Sequence, residues 1–153
     1  MSSLDHKIPP PIVGAIAAAA MWLVSSVGPS LPLDDTLRRV LTGVLVAIGL
    51  GFDLFGLHAF RTARTTFNPL HPERASVLVV TGVYAITRNP MYVGLLFLLL
   101  GWAVYLSTWP AFAGPILTMI YITRFQILPE ERILAGVFGE RYAQYVRRVR
   151  RWL

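Results

Sequence analysis

The stretch Thr81–Gly94, Thr-Gly-Val-Tyr-Ala-Ile-Thr-Arg-Asn-Pro-Met-Tyr-Val-Gly, decides how the rest of the chain can fold. Its Thr-Gly pair signals a turn. Pro90 suits the first position of a helix, where its missing N–H would have had no partner. An uncharged run long enough to cross a membrane follows at once. A polar segment therefore stands at the mouth of an apolar helix, and we predict that a ligand binds there.

The composition places the chain among membrane proteins. Its 153 residues suffice for one domain, so we predict a single membrane-embedded domain over 1–153. Hydrophobic residues make up 55% and charged residues only 14%, more apolar than a soluble domain requires. The net charge of +6 could indicate nucleic acid, but the cations lie beside apolar runs, which favours an anionic membrane surface. Without cysteine there is no disulfide and no thiolate metal site, and we predict no metal.

The apolar runs predict an all-α integral membrane protein with about four transmembrane helices. The first run, Pro11 to about Val27, follows consecutive prolines and stops at Gly28-Pro29, and we interpret it as a retained span rather than a cleaved signal. The second run, Val40 to Phe60, is interrupted only by Asp53 and His58. Its length matches a bilayer core of roughly 30 Å.

The next two helices are predicted to form a tight hairpin. No residue from Pro90 to Thr123 is charged. A single helix of that length would measure about 51 Å, well beyond the hydrocarbon thickness. Because Ser107-Thr108 and Trp109-Pro110 lie near its middle, we predict two helices, Met91–Leu106 and Pro110–Leu128.

A basic amphipathic helix is predicted after Pro129. From Glu130 to Val149 apolar side chains recur at near-helical spacing, arginines fill much of the remainder, and Gly139 is predicted to break the helix. The basic tail is most simply a contact with lipid headgroups. The long polar connection 61–89 is predicted to lack regular structure, because it contains Asn68-Pro69 and His71-Pro72.

The cations also predict an orientation. If both termini are cytoplasmic, only Arg38 and Arg39 of the 14 basic residues lie outside or at the outer interface, as the positive-inside rule favours for an inner or cytoplasmic membrane. A tight hairpin makes its two ends neighbours. We therefore predict that Arg88, before the third helix, faces Glu130 and Glu131, after the fourth, across one pocket.

These residues carry a resemblance to a known family. Arg88-Asn89-Pro90-Met91-Tyr92-Val93-Gly94, a hydrophobic hairpin, Glu130-Glu131 and Phe138-Gly139-x-x-Tyr142-x-x-Tyr145 together resemble the isoprenylcysteine carboxyl methyltransferase and phospholipid methyltransferase superfamily. Its members are integral membrane enzymes that use S-adenosylmethionine (SAM). The usual motif has histidine where this chain has Asn89, and bacterial relatives and phospholipid methyltransferases commonly resemble the Asn form. The resemblance covers roughly residues 49–149.

The resemblance implies a SAM pocket assembled from distant parts of the chain. The cofactor-binding residues it implies are Gly49, Gly51, Arg88, Asn89, Pro90, Tyr92 and Glu131, and we predict that Tyr84 joins them. The catalytic residues we predict are Arg124, Glu130 and Glu131. A helix N-terminus and an arginine are suited to a carboxylate such as that of the methionine moiety. Methyl transfer needs alignment and exclusion of water more than a strong acid or base, and apolar helices would admit a lipophilic or small hydrophobic acceptor.

Each of these residues also has an alternative structural role. Arg88 could anchor the chain at the membrane surface, and the two glutamates could form an acidic first helical turn. Gly49 and Gly51 could permit close helix packing. Arg124 could pair with a glutamate or contact the substrate.

Other residues remain open in the same way. Asp53 and His58 lie within a span, where ionisable side chains are candidates for function, but they could also pair with Arg61. Tyr142 and Tyr145 are more typical of interfacial packing, and His71 of a solvated loop.

Two other functions compete with a SAM-dependent methyltransferase. Sterol reductases that use NADPH share a similar C-terminal fold but are far longer, and a scaffold could have kept the fold without its chemistry. Retention of Arg88 with the glutamate pair argues against a scaffold. The residues do not distinguish a prenylcysteine carboxylate, a phospholipid amine or a small thiol as acceptor, and they do not predict an oligomeric state.

Overall fold

The computed structural model describes residues 7–63 and 77–153. Over these ranges its regular elements are helices, and two isolated backbone bridges lie between the segments that connect them. The predicted all-α class is confirmed for this part of the chain. The six α-helices described are α1 (Pro10–Ser25), α2 (Asp35–Ala63), α3 (Pro90–Leu106), α4 (Ala113–Ile122), α5 (Leu128–Phe138) and α6 (Glu140–Arg148). The predicted loop features at Arg64, Arg74, Asn68-Pro69 and His71-Pro72 lie outside the described residues.

The first helix begins at the consecutive prolines, as the sequence predicts, whereas α2 begins at Asp35, before the predicted apolar run that starts at Val40. Pro10 occupies the first turn of α1, where a missing N–H costs nothing. The Asp34 carboxylate accepts hydrogen bonds from the backbone N–H groups of Thr36 (2.9 Å) and Leu37 (3.1 Å), which caps α2. The helix α2 is longer than its apolar run at both ends.

The predicted hairpin is confirmed, and its turn is held by the connection between α1 and α2. Ser107 ends α3 in the left-handed conformation with φ of 53°. Its carbonyl accepts from Leu31 N–H at 2.7 Å, and its hydroxyl donates to the Leu31 carbonyl at 3.0 Å. A short 3₁₀ segment, Trp109–Phe112, then leads into α4.

The sequence predicts that the next helix ends near Leu128, and this prediction is wrong. From Trp109 to Phe138 the backbone is helical throughout, because a π-helical segment, Thr123–Ile127, joins α4 to α5. In a regular α-helix the ring of Pro129 would clash with the carbonyl four residues earlier, and the wider π turn accommodates it. The predicted break at Gly139 is confirmed, with φ of 53° at that residue.

Two helices in the described ranges, Asp35–Ala63 and Trp109–Phe138, are long and apolar enough to cross a membrane. Both expose large apolar side chains, among them Leu54, Phe55, Ile116 and Leu117. The helices α1 and α3 are apolar but have only 16 and 17 residues, so the expectation of about four spans stays a prediction.

The bundle is built around α3, with α2 packed along one side and α1 lying against both α3 and α4. The buried core of the α1 contact consists of Met21, Leu99, Ala103 and Ala111. On the other side of α3, Gly49 and Gly94 allow the backbones of α2 and α3 to touch. A Cβ at either position would collide with atoms of the opposite helix. Ile8 and Arg150 lie at the same end of the bundle: the Gln126 side chain donates to the Ile8 carbonyl at 2.6 Å, and Arg88 N–H donates to the Arg150 carbonyl at 2.9 Å.

Candidate active site

The two ends of the hairpin meet through an ion pair. Arg88 Nη1 lies 3.0 Å from Glu131 Oε1, and the two side chains are only 10% and 18% exposed. Arg88 stands two residues before α3 and Glu131 in the first turn of α5, so the juxtaposition that the sequence predicts is present. Because both side chains are sheltered, Arg88 is not exposed as a simple anchor at a membrane surface would be.

Glu131 has a second cationic partner that the sequence analysis missed. Arg151 binds it in bidentate fashion, with Nε 2.9 Å from Oε1 and Nη2 2.8 Å from Oε2. This hydrogen bonding raises the pKa of Arg151. The sequence predicts a lipid-headgroup contact for the basic tail, and no local pattern around Arg151 indicates an ion pair, because the contact depends on how the tail returns to the bundle.

The tail returns as a short extended strap along the segment before α3. Thr87 and Arg150 form a parallel backbone bridge. The Arg151 carbonyl accepts hydrogen bonds from the Thr87 hydroxyl at 3.1 Å and from the Asn89 side chain at 2.9 Å. Asn89, which stands at the usual histidine position of the family motif, therefore uses its amide to hold the tail.

The other glutamate is bound by a tyrosine. Tyr92, buried in the first turn of α3, donates its hydroxyl to Glu130 Oε2 at 3.3 Å. The helix is continuous through the π segment, so the backbone N–H groups near Glu130 and Glu131 are not those of a free helix start. The alternative that these glutamates only satisfy a helix dipole loses its physical basis.

Three tyrosines outside the long helices close this end of the site. The Tyr145 hydroxyl donates to the Tyr84 carbonyl at 2.7 Å, and Tyr142 is buried beside Tyr145. Burial raises the pKa of Tyr142 to about 12; the Glu131 charge adds to this rise and Arg88 opposes it. Burial also raises the pKa of Tyr84 and of Tyr145, so all three hydroxyls are neutral at physiological pH.

These side chains surround a cavity of about 510 Å³, within the range typical of small-molecule sites. Six of the predicted site residues line it: Tyr84, Arg88, Asn89, Tyr92, Glu130 and Glu131. Much of the remaining wall is apolar and comes from α1, α2, α3 and α5, including Gly14, Met91, Leu95, Leu98 and Leu134. The cavity thus has a charged end at the Arg88–Glu131 pair and an apolar remainder.

Four predicted site residues do not line the cavity. Pro90 is buried at the start of α3, and Gly49 is packed against Gly94. Nothing lies within 4 Å of an added Cβ at Gly51. Arg124 is exposed, with its guanidinium 5.3 Å from the Phe125 ring.

Two residues that the sequence left open take different positions. Asp53 lines the cavity, whereas His58 is exposed and lies 3.5 Å from the Thr62 hydroxyl through Nε2. In the described ranges no three His, Asp or Glu side chains come together as metal ligands would.

The charged end has the donors and acceptors that an amino-acid moiety requires. Arg88 Nε is buried and has no hydrogen-bond partner within the described residues, so it remains available to an anion. The Glu130 and Glu131 carboxylates can accept from an ammonium or from hydroxyls. The residues present therefore fit a zwitterionic ligand with an additional apolar or aromatic part.

Comparison with known proteins finds a matching family and a relative. The sequence profile of a family described as "Phospholipid methyltransferase" matches residues 37–141, which include Arg88, Asn89, Glu130 and Glu131. A protein of Haemophilus influenzae, described as "Uncharacterized protein", is 43% identical over 63 residues. That alignment covers 41% of this chain and the whole length of the relative.

Proposed function

Since the chain belongs to the phospholipid methyltransferase family, we propose that it is a membrane methyltransferase that uses SAM to methylate a lipophilic acceptor. One observation carries the proposal: a cavity of about 510 Å³ has the sheltered Arg88–Glu131 pair at one end and apolar helix walls along the rest. A zwitterionic cofactor fits the first part and a lipophilic acceptor the second.

The cofactor would be held by the charged end. We assign the carboxylate of its amino-acid moiety to Arg88, whose guanidinium and buried Nε suit an anion. Its ammonium is assigned to Glu131, and its remaining polar groups to Asn89, Glu130 and the hydroxyls of Tyr84 and Tyr92. Pro90 contributes by starting α3 beside the site, and Gly49 by letting α2 approach α3 closely. Arg124 does not line the cavity, so we assign it no catalytic role.

When bound, SAM supplies a methyl group carried on a positively charged sulfur. The chain's own contribution is to hold the two reactants in line and to keep water away. Buried Tyr92 and Ile127, with Leu95 packed against them, form part of the cavity wall. The hydrogen bond from Tyr92 fixes the Glu130 side chain within this wall.

The family and the two long apolar helices indicate a membrane protein. We propose that both termini and the charged end of the cavity face the cytoplasm, where SAM is made. The position of the described terminal segments supports this orientation, because Ile8 and Arg150 lie at the same end of the bundle as Arg88. A lipophilic acceptor would then enter from the bilayer between the apolar helices.

The proposal is tested by SAM binding to the purified protein in nanodiscs. Isothermal titration with SAM and with its demethylated product should show binding at micromolar level. Glu131→Gln and Arg88→Ala should each weaken it at least tenfold, because each removes one member of a sheltered ion pair. The matched control is Glu140→Gln, since Glu140 pairs with Arg147 on the exposed side of α6, away from the cavity.

Thermal unfolding of each variant separates loss of the site from loss of the fold, and Arg88→Lys provides a milder second change at the same position. Equal SAM binding by the wild type, Glu131→Gln and Arg88→Ala would show that the site assignment is wrong. Binding of NADPH in place of SAM would favour the reductase alternative, and binding of neither would favour a scaffold.

A further inference from the structure

An open groove beside α6 forms a second concave surface, next to the cavity of the candidate active site. Its volume is about 590 Å³, and it is lined by the segment before α3, the end of α5 and one face of α6. Much of the lining is apolar, including Leu78, Val80 and Phe138. Within the part of the chain that the structure describes, the charged side chains that line it are Arg141 and Arg148. The groove therefore combines an apolar floor with two cations.

Three polar side chains of α6 stand in one row along this groove. Arg141, Gln144 and Arg148 are separated by three and four residues, so they project from the same face of the helix. The helical rise places the α-carbon of Arg148 roughly 10 Å beyond that of Arg141, with Gln144 between them. All three residues are exposed, and their side chains make no hydrogen bond or ion pair with any residue in 7–63 or 77–153. The two long arginine side chains can therefore converge on one anion beside Gln144.

Neither the helix dipole nor a solvated charged face accounts for both arginines. A cation at a helix C-terminus is stabilised, which suits Arg148, but Arg141 is the second residue of α6 and meets the positive end of the helix. Arg147, on another face of the same helix, has a carboxylate partner in Glu140 at 2.6 Å. Arg141 and Arg148 have no carboxylate partner within the described ranges, so an anionic ligand is the partner that would neutralise them.

The position of the groove indicates where that anion comes from. Phe138 lines the groove and is also the last residue of the long apolar helix Trp109–Phe138. The groove therefore begins where this helix ends, which is the depth of the lipid headgroups if the helix crosses the bilayer. A soluble phosphate would leave the apolar floor exposed to water, whereas the acyl chain of a lipid would cover it.

We propose that this groove binds an anionic phospholipid, which the protein retains and does not methylate. The lipid phosphate lies between Arg141 and Arg148 with the Gln144 amide as a third donor, and one acyl chain lies against Leu78 and Val80. A zwitterionic lipid binds less tightly, because its ammonium meets two cations and, among the described residues, no carboxylate in the groove. The inference narrows the lipid contact that the sequence predicts for the whole basic tail, and it does not depend on methyl transfer.

The groove and the cavity have a common wall but different polar groups. The residues that line both are Val77, Leu78, Phe138 and Tyr145. The Tyr145 hydroxyl donates to the Tyr84 carbonyl at 2.7 Å, which ties α6 to the segment before α3 within this wall. The arginine and glutamates at the charged end of the cavity do not line the groove. A lipid phosphate in the groove is therefore bound by groups other than those assigned to the cofactor.

The test compares two groove variants with a matched variant of the same helix. Arg141→Gln and Arg148→Gln each remove a groove cation, whereas Arg147→Gln removes an exposed cation that is already paired with Glu140. The probes are dioleoylphosphatidylglycerol (PG), which has no nitrogen to methylate, and dioleoylphosphatidylcholine (PC). Native mass spectrometry of the full chain in detergent measures the dissociation constant of each lipid. Wild type and Arg147→Gln should bind PG about fivefold or more tightly than PC.

Each groove variant should weaken PG binding about fivefold, the effect of one basic residue near an anionic surface, and the double variant about twentyfold. Arg147→Gln should change PG binding less than about twofold, because a paired and exposed arginine contributes little. Arg141→Lys should recover part of the affinity, since it keeps the charge without the planar fork. In a second readout, added PG should raise the unfolding temperature of the wild type more than that of the double variant.

Four results would overturn the inference. An equal loss of PG binding in Arg147→Gln would show non-specific attraction to anionic lipid, and unchanged binding in the double variant would show that the groove is not the site. Displacement of PG by inorganic phosphate at the same concentration would indicate a site for soluble anions. A lower unfolding temperature of the groove variants without PG would indicate a structural role. SAM binding is measured on the same samples, and its absence from the wild type would refute the proposed function while leaving the groove assignment intact.

Discussion

Replacing Arg151 by alanine should destabilise the folded chain through the loss of its two hydrogen bonds to Glu131. These bonds measure 2.9 Å and 2.8 Å and engage both carboxylate oxygens. After the replacement Glu131, whose side chain is only 18% exposed, keeps Arg88 as its one cationic partner among the described residues. Loss of one of its two cationic partners raises the free energy of the folded state, because Glu131 is sheltered from water there. The unfolded state, in which Glu131 is hydrated, is not affected.

The size of the effect follows from burial. A hydrogen bond to a charged group contributes about 1.5–3 kcal/mol when it is sheltered. The Arg151 side chain is 35% exposed, so solvent screening reduces the contribution, and we expect about 1–3 kcal/mol for the two bonds together. The pair Arg147–Glu140 provides the contrast: its side chains are 66% and 70% exposed, and we expect a coupling below about 0.5 kcal/mol.

A double-mutant cycle measures this coupling directly. Arg151→Ala, Glu131→Gln and the double variant are compared with the wild type by reversible unfolding in mixed micelles, and the cycle of Arg147→Ala with Glu140→Gln is the control. The first coupling free energy should be about 1–3 kcal/mol, well above the roughly 0.3–0.5 kcal/mol within which independent sites add. If the Arg151 and Glu131 changes are additive, the ion pair contributes nothing and the tail is not fastened through it.

Two further predictions concern helix packing and pH. Gly94→Ala should lower the free energy of unfolding by about 1–3 kcal/mol in the same assay, because the new Cβ collides with Asp53 and Gly49. The control Gly51→Ala, with nothing within 4 Å, should be neutral or stabilising by up to about 1 kcal/mol, and equal effects at the two positions would contradict the packing. Tyr142 has its pKa raised from 10.0 to about 12 in the folded chain, so the stability it contributes is complete below pH 10 and is lost as the pH rises towards 12. Stability measured between pH 9 and pH 12 should therefore fall less steeply in Tyr142→Phe than in the wild type, and equal slopes would contradict the shift.

The local signals for helix starts and turns predicted most of the fold correctly. The apolar runs gave the positions of α1, α2 and α3, and Ser107-Thr108 with Trp109-Pro110 gave the hairpin turn. The prediction failed at Pro129, where a proline was interpreted as a helix end. Its steric clash is real, but a π turn absorbs it, and whether a chain bends or ends at a proline depends on the packing on either side.

The candidate site was predicted only in part, because some of its contacts also depend on how distant segments pack. Arg88 and Glu131 could be paired from the sequence because the hairpin between them brings its own ends together. Arg151 could not be added, since it reaches Glu131 only through a backbone bridge between its neighbour Arg150 and Thr87, 63 positions earlier. The sequence marks Asp53 as an intramembrane carboxylate, but whether it faces the cavity depends on which face of α2 meets α3.

The sequence by itself determined the helical class, the hairpin, the family and the residue types at the charged end of the cavity. Those features follow from local periodicity, from turn residues and from one short motif, all of which act over a few helical turns. Only the tertiary structure decided that Gly49 packs against Gly94, that Asp53 faces the cavity and that the tail fastens Glu131. These contacts join segments tens of residues apart, and packing at the α2–α3 contact and along the strap sets them rather than local preference.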